Sequence, residues 1–249
     1  MRRMAVILSG WTLWRIRHDG TERTQLTQFP GEANKPKWSP DGSKIVFEGK
    51  PEGRPPNIYV VNVEGGPWQE LLPSGRNHQS PDWSPDGKSI VYATPRFRKE
   101  DPPEDSGIFV LNLKTRKVTR LPKSEGMMDP RFSLDGRYLA ALSEDQTKIM
   151  LFDMQARDWK EIAHGKVLNH LDRTSEGDYF YFQEVSDKGV PVYRVRVGTW
   201  KLESVLSFES LAEPTIVKYR FIGLLQNGSP MVLATRGGYD IYALDLDLP

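Results

Sequence analysis

Trp38-Ser39-Pro40-Asp41-Gly42 returns as Trp83-Ser84-Pro85-Asp86-Gly87 and, degraded, as Phe132-Ser133-Leu134-Asp135-Gly136. Weaker copies follow at Arg173-Thr174-Ser175-Glu176-Gly177 and Leu224-Leu225-Gln226-Asn227-Gly228. The glycines at 42, 87, 136, 177 and 228 are 45, 49, 41 and 51 residues apart, a mean of 46.5. A period of about 40–50 residues is that of a four-stranded propeller blade. Each copy reads as a tight turn: Pro sets φ, Asp bonds the backbone ahead of it, and Gly takes the left-handed conformation.

The residues around each turn supply four strands per unit. Strand A ends at the Trp or Phe. Strand B follows the turn at Lys44–Phe47, Ser89–Ala93, Tyr138–Leu142 and Tyr179–Gln183. Strand C is Ile58–Val63, Ile108–Leu113, Ile149–Phe152, Val192–Val197 and Ile241–Leu246, and strand D is Trp68–Leu72, Val118–Leu121, Trp159–Ile162 and Leu202–Leu206. Runs of β-branched and aromatic residues between turn clusters mark strands, and no segment carries a helical period. Met4–Ser9, Leu13–Arg17 and Thr24–Thr27 read as strands B, C and D of a first unit that lacks A, and the last unit lacks D. The predicted fold is all-β: a β-propeller of four-stranded antiparallel blades, six in number with incomplete terminal blades, or alternatively five. It forms one domain over 1–249, with blades at about 1–28, 34–72, 79–121, 128–162, 168–206 and 215–249.

Composition narrows the function classes. The 249 residues carry 34 basic and 33 acidic side chains, a net charge of +1, which argues against a nucleic-acid surface. The chain has no Cys, so disulfides, thiolate zinc sites and Cys nucleophiles are excluded together. No apolar run approaches the ~18–20 residues of a membrane span. Met4–Leu8 is too short for a signal-peptide core and reads as a strand.

The Trp-Ser-Pro-Asp-Gly units, each followed by a strand and then by one like Asn57-Ile58-Tyr59-Val60-Val61, resemble the WD-like repeats of the TolB-type β-propeller. The resemblance is strongest over 34–72 and 79–121, fair over 128–162 and weak beyond. It implies a bacterial protein-binding scaffold and favours the periplasm or cell envelope. Related propellers also precede peptidase domains and occur in lyases, so the resemblance specifies fold better than activity.

Candidate chemistry gathers near the starts of the A strands. Counting back from Trp38, Trp83, Phe132 and Arg173, the position four before is Asn34, Gln79, Met128 and Asn169, and the position three before is Lys35, Ser80, Asp129 and His170. With His78 these form a polar mouth that would bind a ligand or partner. Lys37, Asp82, Arg131 and Asp172, one before the aromatic, alternate in sign and are expected to pair between blades. Asp41, Asp86 and Asp135 are read as turn residues. No Gly-x-Ser-x-Gly elbow exists, and no catalytic residue is assigned. Neither a cofactor nor a resident metal is expected.

Parity places A–B and C–D turns on one face and B–C and D–A loops on the other. The second face has the long loops, including Thr94–Gly107, where Phe97 between Arg96 and Arg98 is a candidate anchor. The resulting reading is a non-enzymatic scaffold that binds a protein or peptide on the long-loop face and the channel mouth. Unpaired edges of the terminal blades offer a route to self-association. The alternatives are a lyase- or hydrolase-type enzyme using His78, Asp129 and His170, with or without a metal, or a propeller piece of a larger sensor or peptidase-like protein.

Overall fold

A computed structural model describes residues 4–9, 12–17, 21–73, 75–96, 102–173, 179–185, 191–207, 218–224, 230–236 and 238–243. These residues form 22 strands and one short 3-10 turn, Pro103–Asp105. The first sheet holds β1 (Met4–Ser9), β2 (Thr12–Arg17) and β3 (Thr24–Gln25). The second holds β4 (Gly31–Trp38), β5 (Lys44–Pro51), β6 (Asn57–Asn62) and β7 (Gln69–Glu70). The third holds β8 (Gln79–Trp83), β9 (Ser89–Thr94), β10 (Gly107–Asn112) and β11 (Val118–Arg120). The fourth holds β12 (Met127–Phe132), β13 (Tyr138–Ser143), β14 (Lys148–Asp153) and β15 (Asp158–His164). The fifth holds β16 (Leu168–Arg173), β17 (Tyr179–Glu184), β18 (Val192–Arg196) and β19 (Leu202–Leu206). The last holds β20 (Lys218–Leu224), β21 (Pro230–Arg236) and β22 (Gly238–Ala243).

Strands pair in chain order and antiparallel, as tight turns between consecutive strands require. Four sheets have four strands and two have three. Among the described residues there are therefore four complete blades, not the six, or alternatively five, expected from the repeat count. The short sheets lie where the repeat signature is missing or most degraded. The chain divides into two compact units, 1–132 and 133–249.

The repeated turn is the same in three copies. Ser39, Ser84 and Ser133 each donate their hydroxyl to the aspartate two residues on, Asp41, Asp86 and Asp135, at 2.6 Å. The same serine oxygens accept the N–H of Lys44, Ser89 and Tyr138 at 2.9 Å. The aspartates accept the N–H of Ser43, Lys88 and Arg137 at 3.0 Å. Gly42, Gly87 and Gly136 close each turn at φ of 69°, 68° and 70°. These hydrogen bonds, the one from Ser39 first, hold the Asp41 carboxyl down at about 2. The aspartates are thus committed to their own turns.

The core lies in layers between successive sheets. In the first unit Leu13, Leu26, Ala33, Ile45, Phe47, Tyr59 and Val61 fill one layer, with Phe29 and Trp68 packed against it. Gly49 is required there, because a Cβ would stand 2.5 Å from both Phe29 Cζ and Tyr59 Cδ2. Val46, Ile58, Leu71, Leu72, Trp83, Ile90, Tyr92 and Leu111 fill the next layer. The second unit repeats the scheme with Tyr181, Val192, Leu206 and Phe221.

The turns between the third and fourth strands add a clasp that the sequence reading missed. In the third, fourth and fifth sheets this turn ends in a non-glycine residue in the left-handed region, Arg116 (φ 59°), Arg157 (φ 57°) and Trp200 (φ 57°). Arg116 donates from Nη2 to the carbonyl of Leu71 in the preceding sheet. Trp200 meets Tyr138 edge-on at 5.1 Å and takes Lys160 Nζ over its ring at 3.7 Å.

Candidate functional site

The inner strands β4, β8 and β16 are each broken at one point, and β12 has the same left-handed backbone at its matching residue. Register slips between Asn34 and Lys37, between Gln79 and Asp82, and between Asn169 and Asp172. At these positions Lys35, Ser80, Asp129 and His170 take φ of 48°, 55°, 53° and 53°. Three of the four precede a proline: Pro36, Pro81 and Pro130. Proline has no N–H to give the ladder, so a bulge is the natural result. The bulge re-aims the side chain of its left-handed residue. A non-glycine residue in this conformation costs about 1–2 kcal/mol, and strain of this kind collects at functional sites.

Three of these residues meet in the first unit. Lys35 Nζ donates to Ser80 Oγ at 2.6 Å and lies 3.9 Å from Asp129 Oδ1. Ser80 N–H donates to Glu48 Oε2 at 3.0 Å. Arg131 Nη2 pairs with Asp129 Oδ1 at 2.9 Å and Arg131 Nη1 donates to the carbonyl of Pro130. The result is a cluster of two carboxylates, an ammonium, a guanidinium and a hydroxyl drawn from β4, β5, β8 and β12. It sits at the strand ends that carry the B–C and D–A connections. Glu48 is the member that the sequence reading missed. The signal was available: its counterparts in the next two blades are Ala93 and Leu142.

Burial pushes the Glu48 carboxyl above its ordinary range, outweighing the opposing pull of Lys35 and the Ser80 hydrogen bond. A raised carboxyl pKa makes the folded state lose stability as pH rises through 4.5 toward the folded value. Glu48→Gln is therefore expected to melt at or above the parent temperature at pH 7. The difference should vanish below pH 4.5, as read by calorimetry at the two pH values. A Glu48→Gln variant that melts lower at pH 7 than at pH 4, relative to the parent, would contradict this.

The other expected residues fall elsewhere. Asn34 stands opposite Glu48 in the register, and Gln79 opposite Ala93. His78 is 7% exposed; its Nδ1 lies 3.0 Å from Thr94 Oγ1 and its ring meets Tyr92 edge-on at 5.0 Å. Burial, with Arg76 nearby, pulls its pKa down to about 4. It is placed as a neutral packing residue.

Lys37 offers its carbonyl to Trp83 Nε1 at 3.1 Å, and Asp82 accepts Phe132 N–H at 3.2 Å. Both bonds tie neighbouring inner strands together. In the second unit Asp172 accepts Arg173 N–H, and Asn169 Oδ1 is buried with no hydrogen-bond partner among the described residues. Arg96 is exposed; Phe97 and Arg98 lie outside the described residues. The second half of their loop is pinned by Arg120, which donates to the carbonyls of Ser106 and Pro103, and by the Arg76–Asp105 pair at 2.7 Å. Among the described residues no group of three or more His, Asp or Glu side chains is arranged to hold a metal. No described helix is long and apolar enough to cross a membrane.

Sheets of this build define a β-propeller, and its type follows from comparison with known proteins. Residues 9–100 match the family model for the TolB beta propeller domain. The chain is similar to TolB from Acinetobacter baumannii, with 21% identity and a TM-score of 0.73, over 93% of this chain and 57% of that one. It is similar to a protein assigned as TolB from Agrobacterium tumefaciens, with 22% identity and a TM-score of 0.68, over 82% of this chain and 76% of that one. An oligogalacturonate lyase in complex with manganese is also similar, with 15% identity and a TM-score of 0.59, over 92% of this chain and 65% of that one. No curated protein sequence matches the chain at a significant level. The fold is a β-propeller similar to that of TolB.

Proposed function

We propose that the protein is a non-enzymatic interaction scaffold whose partner, a protein or peptide, docks on the inner-strand ends around Lys35, Ser80 and Asp129. In this reading Asn34 and Gln79 extend the surface in the first unit, and Asn169 and His170 offer polar contacts of the same kind in the second. The two three-stranded sheets are read as incomplete blades, with β1 and β22 as edges open to self-association. The observation that carries the reading is the recurrence of a strained left-handed residue at the same place in four inner strands. Its side chain changes from Lys to Ser to Asp to His while the backbone stays the same. A catalytic site needs a few convergent groups, whereas a recognition surface needs a varied rim on a rigid scaffold. The buried, unsatisfied Asn169 Oδ1 supports it as an acceptor awaiting a donor.

The test is capture of a partner by the parent and by Lys35→Glu, both shown folded by circular dichroism. The expected result is specific capture by the parent, reduced at least tenfold in the variant. Turnover of a substrate that is lost on replacing Asp129 or His170 would instead make this an enzyme.

A further inference from the structure

Within the Lys35 cluster the acceptors are the fixed part and the ammonium is the movable part. Ser80 is 2% exposed and Asp129 is 9% exposed. Arg131 holds Asp129, and the Ser80 N–H holds Glu48. The Lys35 side chain, by contrast, is 43% exposed and is tied at its tip by one short hydrogen bond and one long ion pair. Without Lys35 the site keeps two carboxylates against the single guanidinium of Arg131. It then has a net charge of about −1 around a buried hydroxyl acceptor. Such a site calls for a compact cation with several donors.

We propose that Glu48, Ser80 and Asp129 form a receptor for a primary ammonium group. Lys35 fills it in the free protein, and a partner's own ammonium takes its place on docking. This deepens the scaffold reading and rests on it for the partner, but the receptor can be tested without one. A primary ammonium fits better than the other cations. It is a small point charge whose three donors reach acceptors in different directions. A guanidinium is planar and wants coplanar acceptors, and Arg131 Nη2 already occupies Asp129 Oδ1. The exchange is favourable in kind because the departing lysine returns an already half-exposed charge to water, while the incoming one arrives with its own interface.

The experiment is chemical rescue. Lys35→Ala is expected to melt below the parent, and millimolar n-propylammonium should restore at least half of the lost melting temperature. Propanol and tetramethylammonium chloride, at matched concentration and ionic strength, should restore less than a tenth. Asp129→Asn in the same background should abolish the rescue. Nα-acetyl-lysine amide and glycinamide separate the two sources of the group, a lysine side chain and a chain terminus. If Lys35→Ala does not fold, Lys35→Met keeps the alkyl stem and is probed with methylammonium.

No rescue by the primary amine, or equal rescue by the quaternary one, overturns the proposal. Rescue without any partner captured by the parent leaves the receptor standing and defeats the scaffold reading. Capture insensitive to Lys35 and Asp129, with no rescue, defeats the receptor alone.

Discussion

Trp83→Ala is expected to cost about 3–5 kcal/mol of unfolding free energy, the usual range for removing a buried aromatic. Trp83 is 3% exposed and packs in the layer between the second and third sheets, among Val46, Ile58, Leu71 and Ile90. Its indole N–H also donates to the Lys37 carbonyl on the neighbouring inner strand. Truncation therefore opens a cavity and strands a backbone acceptor. Trp83→Phe keeps most of the volume and should cost about 1–2 kcal/mol, largely the hydrogen bond and part of the packing. Phe132 already occupies the equivalent place one blade on. Equilibrium denaturation of the three proteins decides the matter, and near-equal stabilities of the parent and Trp83→Ala would show that the layer is not a core.

Acid should weaken the fold in two stages. His78 has a folded pKa of about 4, against about 6.5 for a free imidazole. The unfolded chain therefore binds the proton first. The His78 contribution is complete above pH 6.5 and is lost as pH falls toward 4. At about 1.4 kcal/mol per pH unit the loss comes to ~3 kcal/mol. Asp41 acts later: its carboxyl sits at about 2 in the fold, so its share is lost as pH falls from 3.8 toward 2. His78→Phe keeps the edge contact with Tyr92 and gives up the Thr94 hydrogen bond, at about 1 kcal/mol. Denaturant titrations at pH 7 and pH 4.5 should show most of the parent's loss between those values disappearing in the variant. If both proteins lose the same amount, His78 is not the buried proton acceptor.

These two residues also mark where sequence reading succeeds and where it stops. Trp83 was legible as the last residue of an inner strand, because the motif around it is local and repeats. His78 has the same chain position relative to that motif as a mouth residue would have. Only the packing of Tyr92 and Thr94 against its ring turns it inward. Arg131 shows the same limit. Its charge suggested pairing across blades with Asp82 and Asp172, and it also pairs with Asp129 in its own strand, which that pattern did not suggest. The left-handed backbone at Asp129 brings the two side chains together, and no charge pattern reports a dihedral angle. The proline directly after Lys35, Ser80 and Asp129 was a usable signal, since a strand residue without an N–H marks a broken ladder.

Sequence by itself determined the strands, their order and the serine–aspartate–glycine turns, because each is set by residues within a few positions of one another. The spacing of 45 and 49 residues between the first three turns was enough to imply tandem blades. The three-stranded end sheets were also legible, from a first unit without strand A and a last without strand D, whereas the clasps of Arg116 and Trp200 onto the preceding sheets were decided only in three dimensions. The cluster of Lys35, Glu48, Ser80 and Asp129 was likewise a product of tertiary structure. Its members are up to 94 residues apart in the chain, and they meet because bulged inner strands of successive sheets lie side by side.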